Sequence, residues 1–274
     1  MIRTLFSILL LFGSVAVFAQ GMSDEMKQQE EALYASTKQL NQFFRRFNGE
    51  EDEKGNRYYP KDKKYRDEGL RKKYLPILFN YETGDISEKL ARNFVKDMVD
   101  KSDPVFLGLR SENYYAEVTA VFDYKGKKTS LLLFMEIQPQ RDGYEWVITD
   151  VSFDEYTRYF DKDTTGSKPF IHPMSHELEF MNLKKAFSNG PAESYTPDGF
   201  EPDFLTLFLY DVNKGNLVFR TIRNVRFHFF GVKDWYFEIS KFNRTGNNTG
   251  WLISNLVKVN AMEKRQLKQY IFGK

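Results

Sequence analysis

Apolar and polar positions alternate from Tyr114 to Tyr124, with Ala116, Val118, Ala120 and Phe122 on one face. That is the period of a strand with one buried side. Lys125-Gly126 offers a tight reversal, because glycine tolerates the positive φ of hairpin turns. Ser130–Ile137 is apolar nearly throughout, and a turn over Gln138–Gly143 leads into a third strand, Tyr144–Phe153. Later in the chain Leu217–Phe230, Trp235–Phe242 and Trp251–Val259 read as three more strands, the last preceded by a longer polar loop. A helical period replaces alternation in three places. Leu33, Leu40, Phe43, Phe44 and Phe47 share one face over residues 30–48, closed by Asn48-Gly49. Leu90, Phe94, Val95 and Met98 form a stripe over 87–101, with Ser87 as its cap. Leu178, Met181, Leu183 and Phe187 predict a helix over 176–188, capped by Ser175 and directed inward.

The two sets of strands resemble each other. Phe122-Asp-Tyr-Lys-Gly-Lys-Lys128 and Phe227-His-Phe-Phe-Gly-Val-Lys233 both fit Phe-x-aromatic-x-Gly-x-Lys at an offset of 105 residues. Trp146-Val-Ile-Thr-Asp-Val151 and Trp251-Leu-Ile-Ser-Asn-Leu256 match at the same offset, and Phe134-Met-Glu-Ile137 precedes the one as Tyr236-Phe-Glu-Ile239 precedes the other. Blocks matched in one order read as a duplication.

Helices followed by a meander that ends in a tryptophan-bearing strand resemble the nuclear transport factor two-like fold. The resemblance rests on Phe43-Phe44-Arg45-Arg46-Phe47-Asn48 and on Tyr144-Glu-Trp146-Val-Ile-Thr-Asp-Val151. A cystatin-like helix-and-sheet unit fits these residues almost as well. The resemblance implies an α+β chain of two tandem helix-plus-curved-antiparallel-sheet units, at 20–155 and 174–274, joined by a linker at 156–173. It also implies a cone that in some relatives holds a ligand or an acid–base pair and in others only binds a partner. Fold alone does not select between these.

Residues 1–19 read as a cleaved signal peptide: Arg3, an apolar stretch Thr4–Phe18, then Ala19 and Gln20 flanking the cleavage site. The apolar run is shorter than the roughly twenty residues a membrane helix needs. The expected location is the periplasm or the exterior of a Gram-negative bacterium, with no stable span in the mature chain. The 274 residues include no cysteine, which excludes disulfides, thiolate metal sites and a cysteine nucleophile. The 40 Lys+Arg against 38 Asp+Glu argue against a nucleic-acid binder. The signal, the missing cysteine and the many aromatics are similar to exported envelope proteins of Bacteroidetes. In that context Asp163-Thr164-Thr165 resembles an O-glycosylation site, with Thr164 as acceptor.

Candidate chemistry is sparse. His172 and His176 have a four-residue spacing that would put two imidazoles on one helical face, but Pro173 opposes helix at His172 and no third metal ligand is evident. His228, between Phe227 and Phe229, reads as a surface or edge residue. Glu136 and Glu238 lie between apolar strand residues; inside a cone either could carry a proton, whereas on the outer face both would be solvated. Trp146 and Trp251 read as core anchors rather than stacking platforms for a ligand. The segment 49–73 is very polar, and its 57–73 stretch carries eight Lys/Arg against three carboxylates; it reads as a solvated insertion. No cofactor is implied. The expected function is a non-enzymatic, exported binding protein for an envelope protein or a small ligand. The alternative is a small acid–base enzyme built on Glu136 or Glu238. The sequence does not set the oligomeric state.

Overall fold

The computed structural model describes residues 40–52, 55–108, 111, 113–141, 143–160, 170–181, 183–188, 192–197, 199–243 and 248–272. The chain is α+β. Its helices are α1 (40–48), α2 (Glu68–Tyr74), α3 (Glu88–Met98), α4 (Asp154–Tyr159), α5 (Leu183–Ala186), α6 (Phe204–Asn213) and α7 (Ala261–Phe272). Its strands are β1 (Tyr114–Tyr124), β2 (Lys127–Gln140), β3 (Gly143–Ser152), β4 (Leu217–Phe229), β5 (Trp235–Phe242) and β6 (Gly250–Lys258). The chain packs as two compact units, each assembled from two stretches of sequence. Residues up to Asn113 join Phe230–Val259 in the first, and Tyr114–Phe229 joins the residues from Asn260 onward in the second.

The second unit is an antiparallel sheet in the order β3-β2-β1-β4. Gly126 takes a positive φ (79°) at the β1–β2 hairpin, as the sequence predicts, and Lys125 before it does so too (49°). The alternation of β1 is real, yet both of its faces are buried, because it lies between β2 and β4 with helices on each side. On the even-numbered face, Phe122 packs edge-on to Phe208 of α6, and Tyr124 packs on Phe153 beside α4. Tyr156 of α4 donates to the buried Asp211 carboxylate at 2.8 Å, which ties α4 to α6. On the odd-numbered face, Phe272 of α7 packs on Tyr115 and Phe134.

In the first unit, Ser87 caps α3 by accepting from the Leu90 amide, as predicted. The aromatic stripe of α1 meets that of α3 and one face of the β5–β6 hairpin. Phe47 stacks on Phe237 at 6.5 Å, and Phe94 packs edge-on to both Phe237 and Trp235. Segment 49–73 is mostly exposed, as a solvated insertion would be, but Glu51 and Arg71 are buried. It runs into α2, whose Arg71 is 1% exposed, donating to the Phe47 carbonyl and lying over the Phe106 ring. Burial, helped by the charge of Arg66, lowers the Arg71 pKa to about 10.

The helix expected over 176–188 is broken. Pro173–Leu178 winds as a 3-10 turn capped by His172, not Ser175; Glu179 and Phe180 then take left-handed φ, and helix resumes only at Leu183–Ala186. Proline at the start and two left-handed residues in the middle are incompatible with one continuous helix. Leu178 and Met181, read as inward, are 61% and 80% exposed. The signal-peptide residues, with Ala19 and Gln20, lie outside the described residues, as does Thr164.

Candidate functional site

Glu117 is the one carboxylate on β1 that faces neither turn nor solvent. It sits on the odd-numbered face with Tyr115, two residues before it, and opposite Arg226 of β4. Arg226 donates to it through Nε at 3.0 Å and through a second nitrogen, and His228 Nε2 lies 3.2 Å from its other oxygen. Burial pushes the Glu117 carboxyl up, but the hydrogen bonds from His228 and Arg226 and the charge of Arg226 outweigh that and hold it below the ordinary carboxylate range. His228 is therefore not an edge residue. It is 1% exposed on a strand paired along its length with β1.

Next to this buried ion cluster is a cavity of about 370 Å³ between the sheet and α7. The Cα register sets Tyr115 beside Glu136 on β2 and beside His228 on β4, so the three share one row of the sheet. Glu136, Thr149 and Asp150 line the cavity from the sheet, and Arg265, Lys268 and Phe272 line it from α7. Positions 265, 268 and 272 fall on one face because they are three and four residues apart on a helix. Lys268 Nζ donates to the Tyr115 hydroxyl and lies over the Tyr115 ring, 4.3 Å from its centroid. Glu136 is half-buried, and no hydrogen bond or ion pair joins it to another described residue; the same is true of the exposed Arg265.

The remaining sites proposed from sequence are placed separately. Glu238 accepts from the Tyr236 hydroxyl at 2.6 Å and from Asn255 at 3.2 Å, within the β5–β6 hairpin. His172 Nδ1 accepts from the Met174 amide, and His176 Nδ1 donates to the Pro173 carbonyl at 2.8 Å, so each ring has one nitrogen committed to backbone. Among the described residues no group of three His, Asp or Glu could hold a metal ion. Trp146 is 37% exposed and packs on Tyr114 and Phe227, so it anchors the sheet with one side in solvent. Trp251 lines a 590 Å³ cavity of the first unit with Phe43, Tyr74 and Leu78.

The first unit also carries a 930 Å³ groove along α3, with Ala91, Val95 and Val99 on its floor. Most of its rim charges are paired within the chain: Glu68 with Lys72 and Lys101, and Glu88 with Arg92. The cavity beneath α7 differs in leaving charges unpaired. Sequence reasoning named Glu136 there and missed Glu117, Arg226, Arg265 and Lys268. The available signal was Glu117 itself, a lone carboxylate in an otherwise apolar and β-branched run, which demands a buried cation.

No family model, no curated protein and no solved structure matches the chain. Among the described residues no helix is long and apolar enough to cross a membrane.

Proposed function

We propose that this chain is an exported, non-enzymatic binding protein of a Gram-negative envelope, and that the cavity beneath α7 takes a small ligand. The observation that carries this reading is the half-buried Glu136, without a partner among the described residues, in a cavity whose helical wall bears two cations. A charge held partly out of solvent without a counter-charge is unfavourable, and a bound ligand removes that cost. The tandem reading, of two nuclear transport factor two-like or cystatin-like units, draws support from element order. Three strands follow one another over Tyr114–Ser152 and again over Leu217–Lys258, and β1 and β4 end at the matched residues Tyr124 and Phe229. A protein partner is the second occupant consistent with this proposal; the exposed Leu209 and Tyr210 of α6 and Phe219 and Ile222 of β4 offer apolar surface for it.

The acid–base alternative narrows to Glu136, because Glu238 is engaged by Tyr236 and Asn255. Native mass spectrometry of the mature protein, purified gently from its own envelope, tests the proposal. One small molecule per chain is expected, lost in Glu136→Gln. A bare chain in both forms overturns the cavity reading. A retained protein without a small molecule transfers the function to the surface. Conversion of the retained molecule into a product on incubation, abolished in Glu136→Gln, replaces binding with catalysis.

A further inference from the structure

We infer that the cavity beneath α7 recognises a small zwitterion of amino-acid size, with its ammonium group at Glu136 and its carboxylate at Arg265 and Lys268. This rests on the reading that the cavity binds a ligand.

The walls carry opposite charge. Glu136 and Asp150 come from the sheet, and Arg265 and Lys268 from the helix. No ion pair joins Glu136 to Arg265 or Lys268. A simple anion entering this space gains at the helix and loses at the two carboxylates; a simple cation does the reverse. A dipolar molecule gains on both walls and brings in no net charge, and each contact is a charge-assisted hydrogen bond. The hydrogen bond of Lys268 to the Tyr115 hydroxyl ties its ammonium group to the sheet wall of the cavity. Tyr115 and Phe272, with ring centroids 5.0 Å apart, supply an apolar surface for the body of the ligand. The volume of about 370 Å³ is near the lower end for ligand sites, roughly 300–1,000 Å³, and so suits a free amino acid better than a long peptide.

The test begins with an equimolar mixture of the twenty common L-amino acids, offered to the full mature chain and read by native mass spectrometry. The tightest binder is then compared, by titration calorimetry, with its analogue lacking the ammonium group and its analogue lacking the carboxylate. The parent amino acid should bind at least tenfold tighter than either analogue. Glu136→Gln should reduce the amino acid to the level of the ammonium-free analogue and leave that analogue unaltered. Arg265→Gln should weaken the amino acid toward the level of the carboxylate-free analogue and leave that analogue unaltered, Lys268 still holding part of the carboxylate, with circular dichroism confirming that both variants fold. Capture of no amino acid, or analogues as tight as the parent, overturns the zwitterion assignment. If an analogue still binds and responds to Glu136→Gln, the cavity remains a ligand site of another class. If nothing binds and the envelope preparation is bare, the cavity reading falls as well.

Discussion

Gly49 and Glu117 are single residues on which a unit depends, for different reasons. Gly49 closes α1 with φ +73°, and a Cβ there would meet Arg71 Cγ at 2.8 Å. That guanidinium is itself fixed in the interior by the Phe47 carbonyl, so it has little room to yield. Left-handed strain alone costs about 1–2 kcal/mol for a residue with a Cβ. Gly49→Ala should therefore lower stability by about 2 kcal/mol or more in urea unfolding; a loss under about 0.5 kcal/mol would refute the close approach. Glu117 makes stability depend on pH. Its folded pKa is depressed, so its contribution is complete above the unfolded carboxylate pKa of about 4.3 and is lost as pH falls through the lower folded value. Glu117→Gln should cost about 2 kcal/mol near pH 7, less than the 3–5 kcal/mol for breaking a fully buried pair, because Arg226 is partly solvated. The gap between wild type and variant should close in acid. A gap independent of pH down to about 3 would show that the pairing with His228 and Arg226 does not hold the charged form.

At the scale of elements, the helices that can be read from sequence are those with an apolar stripe on one face and a recognisable cap or closing residue. Ser87 announces α3 and accepts from the Leu90 amide; Asp203 caps α6, accepting from the Leu205 and Thr206 amides at 3.0 and 3.2 Å, with no stripe beside it to announce the helix. Ser87→Ala and Asp203→Ala should each cost about 1 kcal/mol, read as a fall in the melting midpoint. An unchanged midpoint for Asp203→Ala would mean that α6 is held by Phe208 and Asp211 packing alone. The six strands were legible as alternating or nearly continuous apolar runs bounded by turns, and α1 and α3 as apolar stripes at a period of 3.6. By contrast, α6 (Phe-Leu-Thr-Leu-Phe-Leu-Tyr) is apolar almost all round and shows no stripe, and α2 lies in a charged run where only Arg71 and Tyr74 turn inward. The site was half legible for the same reason. Glu136 stands out on its own strand, but the opposite charges of the cavity come from α7, and no local period announces that Arg265 and Lys268 will line one cavity with a strand more than a hundred residues earlier.

For the whole molecule, the decisive property is compartment, since it selects the ligands the cavity can meet. The expectation of export rests on Arg3, the apolar stretch to Phe18 and the small residue Ala19, the pattern of a cleaved signal peptide. A chain without cysteine would gain no disulfide in the oxidising compartment that export implies, so its stability in any compartment rests on packing such as Phe47 on Phe237 and on buried polar pairing such as that of Glu117 with His228. The intact mass of the protein from its native envelope should correspond to a chain beginning at Gln20. A carbohydrate increment that disappears in Thr164→Ala would mark the predicted acceptor. A mass that includes residues 1–19, recovered with the membrane fraction, would overturn cleavage and place the cavity on an anchored protein instead.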